Sequence, residues 1–73
     1  MNWRDRISSD PQILRGKPCI KDTRIPVALI LGYLADGRDQ DVIIHEFPDL
    51  KRGDVSACLD YARELAEFNA VAA

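Results

Sequence analysis

The chain has 73 residues, 47% of them hydrophobic and 30% charged, and a net charge of −2. That is one domain of ordinary globular composition, which excludes a disordered, fibrous or uniformly basic nucleic-acid-binding chain. Two cysteines and one histidine make neither a disulfide framework nor a zinc site, and no apolar run approaches a membrane span.

The opening MNWRDRISSD lacks the apolar centre of a signal peptide, so a cytoplasmic protein with reduced thiols is expected, without metal or cofactor. A domain this small buries only about 60% of the surface its unfolded chain exposes. A partner or self-association, as a homodimer, is therefore expected to support it. Charge is unevenly spread. Residues 1–25 carry six Lys or Arg against three Asp, whereas residues 26–73 carry four basic against nine acidic residues.

In chain order, residues 7–25 read as short strands and turns. Ile7-Ser8 suits a short strand and Asp10-Pro11 a turn capped by Ser9 or Asp10, which Gly16 and Pro18 break. Cys19-Ile20 and Arg24-Ile25 flank KDT as the arms of a small hairpin. Arg24 stands at the junction with the helical half, where its guanidinium would tie loop carbonyls to a helix acid.

Pro26 suits the first position of a helix over 26–36, with Val27, Ile30, Leu31 and Leu34 on one stripe and Gly37 as the stop. Asp39 caps a second helix over 39–47, whose buried side is Val42 or Ile43 with Ile44 and Phe47, and Pro48 ends it. A third helix spans 52–68. Val55, Cys58, Leu59, Ala62, Leu65 and Ala66 form its core stripe, and Ala57, Tyr61, Glu64 and Phe68 a neighbouring line. That second line, with two aromatics, is a candidate contact surface.

The chain shows no acid/base pair, because its carboxylates fall at solvent-facing positions. His45, between Ile44 and Glu46, reads as a surface or packing residue. GKP lacks the first glycine and the hydroxyl of a phosphate loop. No enzymatic activity is expected.

Two macromolecular readings remain. The helical outline is that of a helix-turn-helix, with Lys51, Arg52, Ser56 and Arg63 as candidate DNA-binding residues of the third helix. Asp54, Asp60, Glu64 and Glu67 on the same helix would repel a duplex, which favours a solvated charged face. Arg15, Lys17 and Lys21, with Arg24, would grip phosphates or an acidic protein surface if they cluster, and are scattered surface charges if they do not. Tyr61, Leu65 and Phe68 are the apolar candidates for partner binding.

The segments ISSDPQILRGKPCIKDTRIPVALILGYLADG and VIIHEFPDLKRGDVSACLDYARELAEF resemble domain-of-unknown-function family 433, over Ile7 to Phe68. The most specific part is GKPCIKDTRIP, where Gly16, Pro18, Thr23, Arg24 and Pro26 match the family's signature. Phe47-Pro48 and the adjoining DLKRGDVSACLDYA match a second. Members of that family are regarded as VapB-like predicted antitoxins of type II toxin–antitoxin modules.

The resemblance implies a mainly α, homeodomain-like three-helix bundle preceded by short strands. It also implies a cognate PIN-type ribonuclease toxin as partner, dimerisation and binding to operator DNA. The alternative is a helix-turn-helix regulator without a toxin. The acidic metal site of a PIN-type toxin would be blocked by an arginine or lysine from the basic segment. Two positions depart from the family's pattern. Asp22 stands where glycine precedes the Thr-Arg pair, and Lys51 where Ser or Thr caps the third helix; a lysine leaves the helix's first N–H groups without an acceptor, a loss that Asp54 is expected to offset in part by interacting with the helix start.

Overall fold

The computed structural model describes residues 2–68. A 3₁₀ turn (Trp3–Asp5) leads into β1 (Ile7–Ser8), a turn at Leu14–Gly16 and β2 (Cys19–Ile20). Then come α1 (Val27–Ala35), α2 (Gln40–Glu46) and α3 (Arg52–Phe68). The described chain is mostly helical, with one short antiparallel strand pair before the helices.

That pair is not the expected one. β2 lies against β1, with Ile7 opposite Ile20 and Ser8 opposite Cys19. Arg24-Ile25 forms no strand. The chain instead folds back so that Ile20 N–H donates to Ile25 C=O at 3.0 Å and Cys19 bridges to Pro26. Thr23 closes this turn, its hydroxyl donating to Ile20 C=O (2.7 Å) and accepting from Ile25 N–H (3.0 Å). Asp22 adopts φ 63°, so the backbone keeps the left-handed conformation of a glycine position while carrying a side chain. Arg24 is exposed, with no ion pair among the described residues. The junction is tied by the Thr23 hydroxyl instead.

Upstream, Leu14, Arg15 and Gly16 are all left-handed, with φ of 49°, 57° and 83°. The Ser9 hydroxyl fastens this turn by donating to Gly16 C=O. Asp10 makes an Asx turn, its carboxylate accepting from Gln12 N–H.

Pro26 is extended and stands just before α1 as its cap. Gly37 ends α1 at φ 90°. Its N–H reaches Leu34 C=O and the next N–H, of Arg38, reaches Tyr33 C=O, which satisfies the last carbonyls by a Schellman motif. Asp39 caps α2 by accepting from Val42 N–H at 3.0 Å. Ile43 is the buried residue of α2; Val42 faces outward, and Ile44 and Phe47 are half-buried.

The core joins Ile7 and Ile20 from the strands to Val27, Ile30, Ile43, Leu50, Val55, Ala57 and Cys58 from the helical half. Fully buried aliphatic side chains such as Ile30, Ile43 and Val55 each contribute about 1.5–3 kcal/mol of transfer free energy. The expected stripe of α3 needs re-phasing. Asp54, Val55, Ala57 and Cys58 are buried, while Leu59, Leu65 and Ala66 are exposed. The inward face is thus centred between Cys58 and Tyr61. From Leu65 to Phe68 every residue of the helix is exposed.

Candidate functional site

Two clusters fasten residues 2–6 along α3. The first is at the start of that helix. Lys51 supplies no capping side chain, and its place is taken from inside by Asp54. One Asp54 oxygen accepts from Lys51 N–H at 2.9 Å, the returning half of a capping box. The other accepts from the Arg6 guanidinium at 3.1 Å. Asp54 is only 8% exposed, so not every carboxylate faces solvent as the sequence suggested. Gly53 explains how Arg6 gets so close: a Cβ there would stand 2.5 Å from Arg6 Cζ. Beneath lies Cys58. Burial pushes its thiol up to about 12, with the Asp54 charge adding to the shift, so it stays protonated at neutral pH.

The second cluster lies two turns further along. The backbone N–H of Trp3 donates to Asp60 at 3.2 Å, and its indole N–H donates to Glu64. Arg4 pairs with Glu64 at 3.0 Å and lies over the Trp3 ring at 4.4 Å. Trp3 meets Tyr61 edge-on, ring centroids 4.9 Å apart. Residues 2–6 therefore form a strap along α3.

Its bonds act on the acids. Partial burial alone would raise Asp60, but hydrogen bonds from Arg63 and Trp3, with the Arg63 charge, hold it below its usual value. The Trp3 indole and then Arg4 hold Glu64 below its own. Between strap and helix runs a groove lined by Trp3, Arg4, Tyr61, Glu64, Leu65 and Phe68. Phe68 is 83% exposed and Leu65 44%.

The family model described as protein of unknown function (DUF433) matches residues 7–62. The chain belongs to DUF433. No curated protein and no solved structure matches it. The segment shared with DUF433 contains Gly53, Asp54 and Tyr61, whereas the strap and the Leu65 and Phe68 wall of the groove lie outside it.

Within this DUF433 fold the candidate DNA-binding residues do not form one basic face. Lys51 is exposed and Ser56 half-buried. Arg52 is held by Asp41 of α2, and Arg63 by Asp60 and Glu67 at 3.1 and 2.9 Å. Of the basic segment, Arg15 sits on the left-handed turn, and Lys17 and Lys21 are exposed. Lys17 and Arg24 line one open cleft and Lys21 and Lys51 another, each interleaved with aspartates that include Asp22 and Asp49. Tyr61, Leu65 and Phe68, by contrast, are brought together in the groove.

The strap itself went unread in the sequence. Trp3 in a polar N-terminus and a glycine at the second position of α3 were the available signals, since a glycine there costs helix stability unless something must approach closely. Among the described residues no three His, Cys, Asp or Glu gather to hold a metal ion, and no helix is long and apolar enough to cross a membrane.

Proposed function

We propose that this protein works by docking, as an antitoxin-type module that binds a PIN-type ribonuclease and holds it inactive. The observation that carries the docking reading is the continuation of the inward face of α3 past the core. Tyr61, Leu65 and Phe68 stand at i, i+4 and i+7 and end on an aromatic ring exposed to solvent. Exposed aromatic and aliphatic surface of this kind, rimmed by charge, is what protein interfaces bury at their centres. The class of partner comes from the resemblance to predicted antitoxins.

In the same proposal α1, α2 and α3 form a homeodomain-like bundle, with α2 and α3 as a helix-turn-helix. A DNA-binding reading has one observation in its favour, the exposed Lys51 and Arg52 at the start of α3. It ranks second because Arg52 and Arg63 would have to exchange carboxylates for phosphates on a helix with four acids.

The test is co-expression with the product of the neighbouring reading frame. The expected result is a complex that co-purifies and loses ribonuclease activity. Absence of any complex at micromolar concentration overturns the reading. Salt-sensitive binding to its own promoter, weakened by Lys51→Ala and Arg52→Ala and stronger than to random duplex, would favour the second reading instead.

A further inference from the structure

The face of α3 around Tyr61 already has an occupant, and it belongs to this chain. Arg4 pairs with Glu64, the Trp3 indole donates to the same carboxylate, and the Trp3 ring stands edge-on to Tyr61. The two ends of the strap are held differently. Arg6 is fixed twice: its carbonyl accepts from Lys21 N–H at 2.9 Å, and its guanidinium reaches the buried Asp54 through the space that Gly53 leaves. Residues 2–5 have no such tie. The N–H groups of Asp5 and Arg6 close the strap's own turn onto Asn2 and Trp3, and among the described residues no backbone–backbone bond joins residues 2–5 to the rest of the protein. Side chains of α3 hold them, Asp60 and Glu64 by hydrogen bonds and Tyr61 by ring contact. The turn has no buried residue, and the Arg4 and Glu64 side chains are 60% and 39% exposed, so solvent competes for their bond. The buried core begins at Ile7, with Trp3 packed only against its outside.

A segment with few buried apolar contacts and exposed hydrogen bonds opens at lower free energy than the core it covers. We propose that residues 2–5 are an autoinhibitory strap, which holds the Tyr61 face of α3 closed and swings off it about Arg6 while the rest of the domain stays folded. The inference rests on the docking reading, because that face is the one assigned to docking, and it makes docking conditional on displacing Trp3. The cover lies outside the segment that matches the family, residues 7–62, whereas Asp60 and Tyr61 beneath it lie inside.

Trp3 is the chain's only tryptophan, so its quenching by acrylamide reports on the strap while far-UV circular dichroism reports on the helices. In a urea titration of the intact protein, Trp3 is expected to become accessible to the quencher at lower urea than that at which helix is lost. Glu64→Ala removes the acceptor shared by Trp3 and Arg4 at a site where alanine favours the helix. Without urea, its Trp3 quenching is expected to approach that of the unfolded chain, with a melting temperature within about 4 °C of the parent's. Coincident Trp3 and dichroism midpoints in the parent would overturn the inference. So would parent-like quenching in Glu64→Ala.

The inhibitory effect is read with the product of the neighbouring reading frame. Trp3→Ser frees the face without altering α3 and is expected to tighten the complex, by about tenfold for a strap open one-tenth of the time. An unchanged or weaker complex sinks the inference, because the strap is then no obstacle. Coincident urea transitions do the same and leave the docking reading standing. No complex with either the parent or Trp3→Ser removes the docking reading, and the inhibitory role with it, whatever the urea titration shows.

Discussion

Replacing Asp54 tests how α3 is started and how the strap is anchored. Asp54→Ala removes the acceptor for Lys51 N–H, a capping interaction of about 1 kcal/mol. It also breaks the pair with Arg6. The Asp54 side chain is 11% exposed but that of Arg6 is 38% exposed, so solvent screens the pair and its loss adds about 1 kcal/mol, not the several expected of a dry ion pair. The sum, about 2 kcal/mol, is large against a total stability of roughly 4–11 kcal/mol for a domain of this length. It corresponds to a fall in melting temperature of about 8–16 °C. Asp54→Asn keeps an acceptor for Lys51 and loses the charge, and should cost about half as much. The assay is urea and thermal unfolding followed by circular dichroism, with an Arg6→Ala/Asp54→Ala double-mutant cycle. An Asp54→Ala variant within about 0.5 kcal/mol of the parent would refute the reasoning. Strict additivity in the cycle would refute its ion-pair half.

Three further outcomes rest on the same kind of contact. Gly53→Ala should displace the Arg6 guanidinium, gain about 1 kcal/mol of helix propensity and leave overall stability nearly unchanged; Arg6→Ala should then cost nothing in that background, as thermal melts will show. Asp22→Gly should raise the melting temperature by up to the equivalent of about 1 kcal/mol, and Asp22→Val should lower it, because that residue sits at φ 63°. Acid should release the strap. Asp60 and Glu64 are held below their ordinary 3.8 and 4.5, so the folded chain binds fewer protons than the unfolded one. Their stabilising contribution is complete above those ordinary values and is lost as pH falls through the lowered ones. Trp3 emission should be flat down to about pH 5 and change below it, with a smaller change in Glu64→Gln.

The helices were legible because their signals are local. Val27, Ile30, Leu31 and Leu34 repeat within α1, Gly37 and Asp39 punctuate its end and the start of α2, and Pro48 closes α2. The strand pairing was not legible. Two-residue strands show no alternation, and Ile7 finds Ile20 only because both side chains enter the core. The phase of α3 was misread for a related reason. Its apolar residues support two stripes, and the choice between them depends on where α1 and the strands stop covering the helix. Asp54 reads both as a surface charge and as a partner of the helix start; the second reading matches its bond from Lys51 N–H, whereas its burial under Arg6, 48 residues away, had no local signal. Of the proposed contacts, Tyr61, Leu65 and Phe68 do gather on one groove. Trp3, which completes it, carries no local sequence pattern that points 58 residues ahead to Tyr61.

The strap puts the beginning of the described chain beside the end of its last helix, since Trp3 and Phe68 wall the same groove. A group attached at Trp3 or at Phe68 would therefore meet the same groove. A circularly permuted version, joining residue 68 to residue 3 by a short linker and opened at the turn after Ala35, would keep every packing interface. It would turn a meeting now held by an indole, a guanidinium and two carboxylates into a covalent connection.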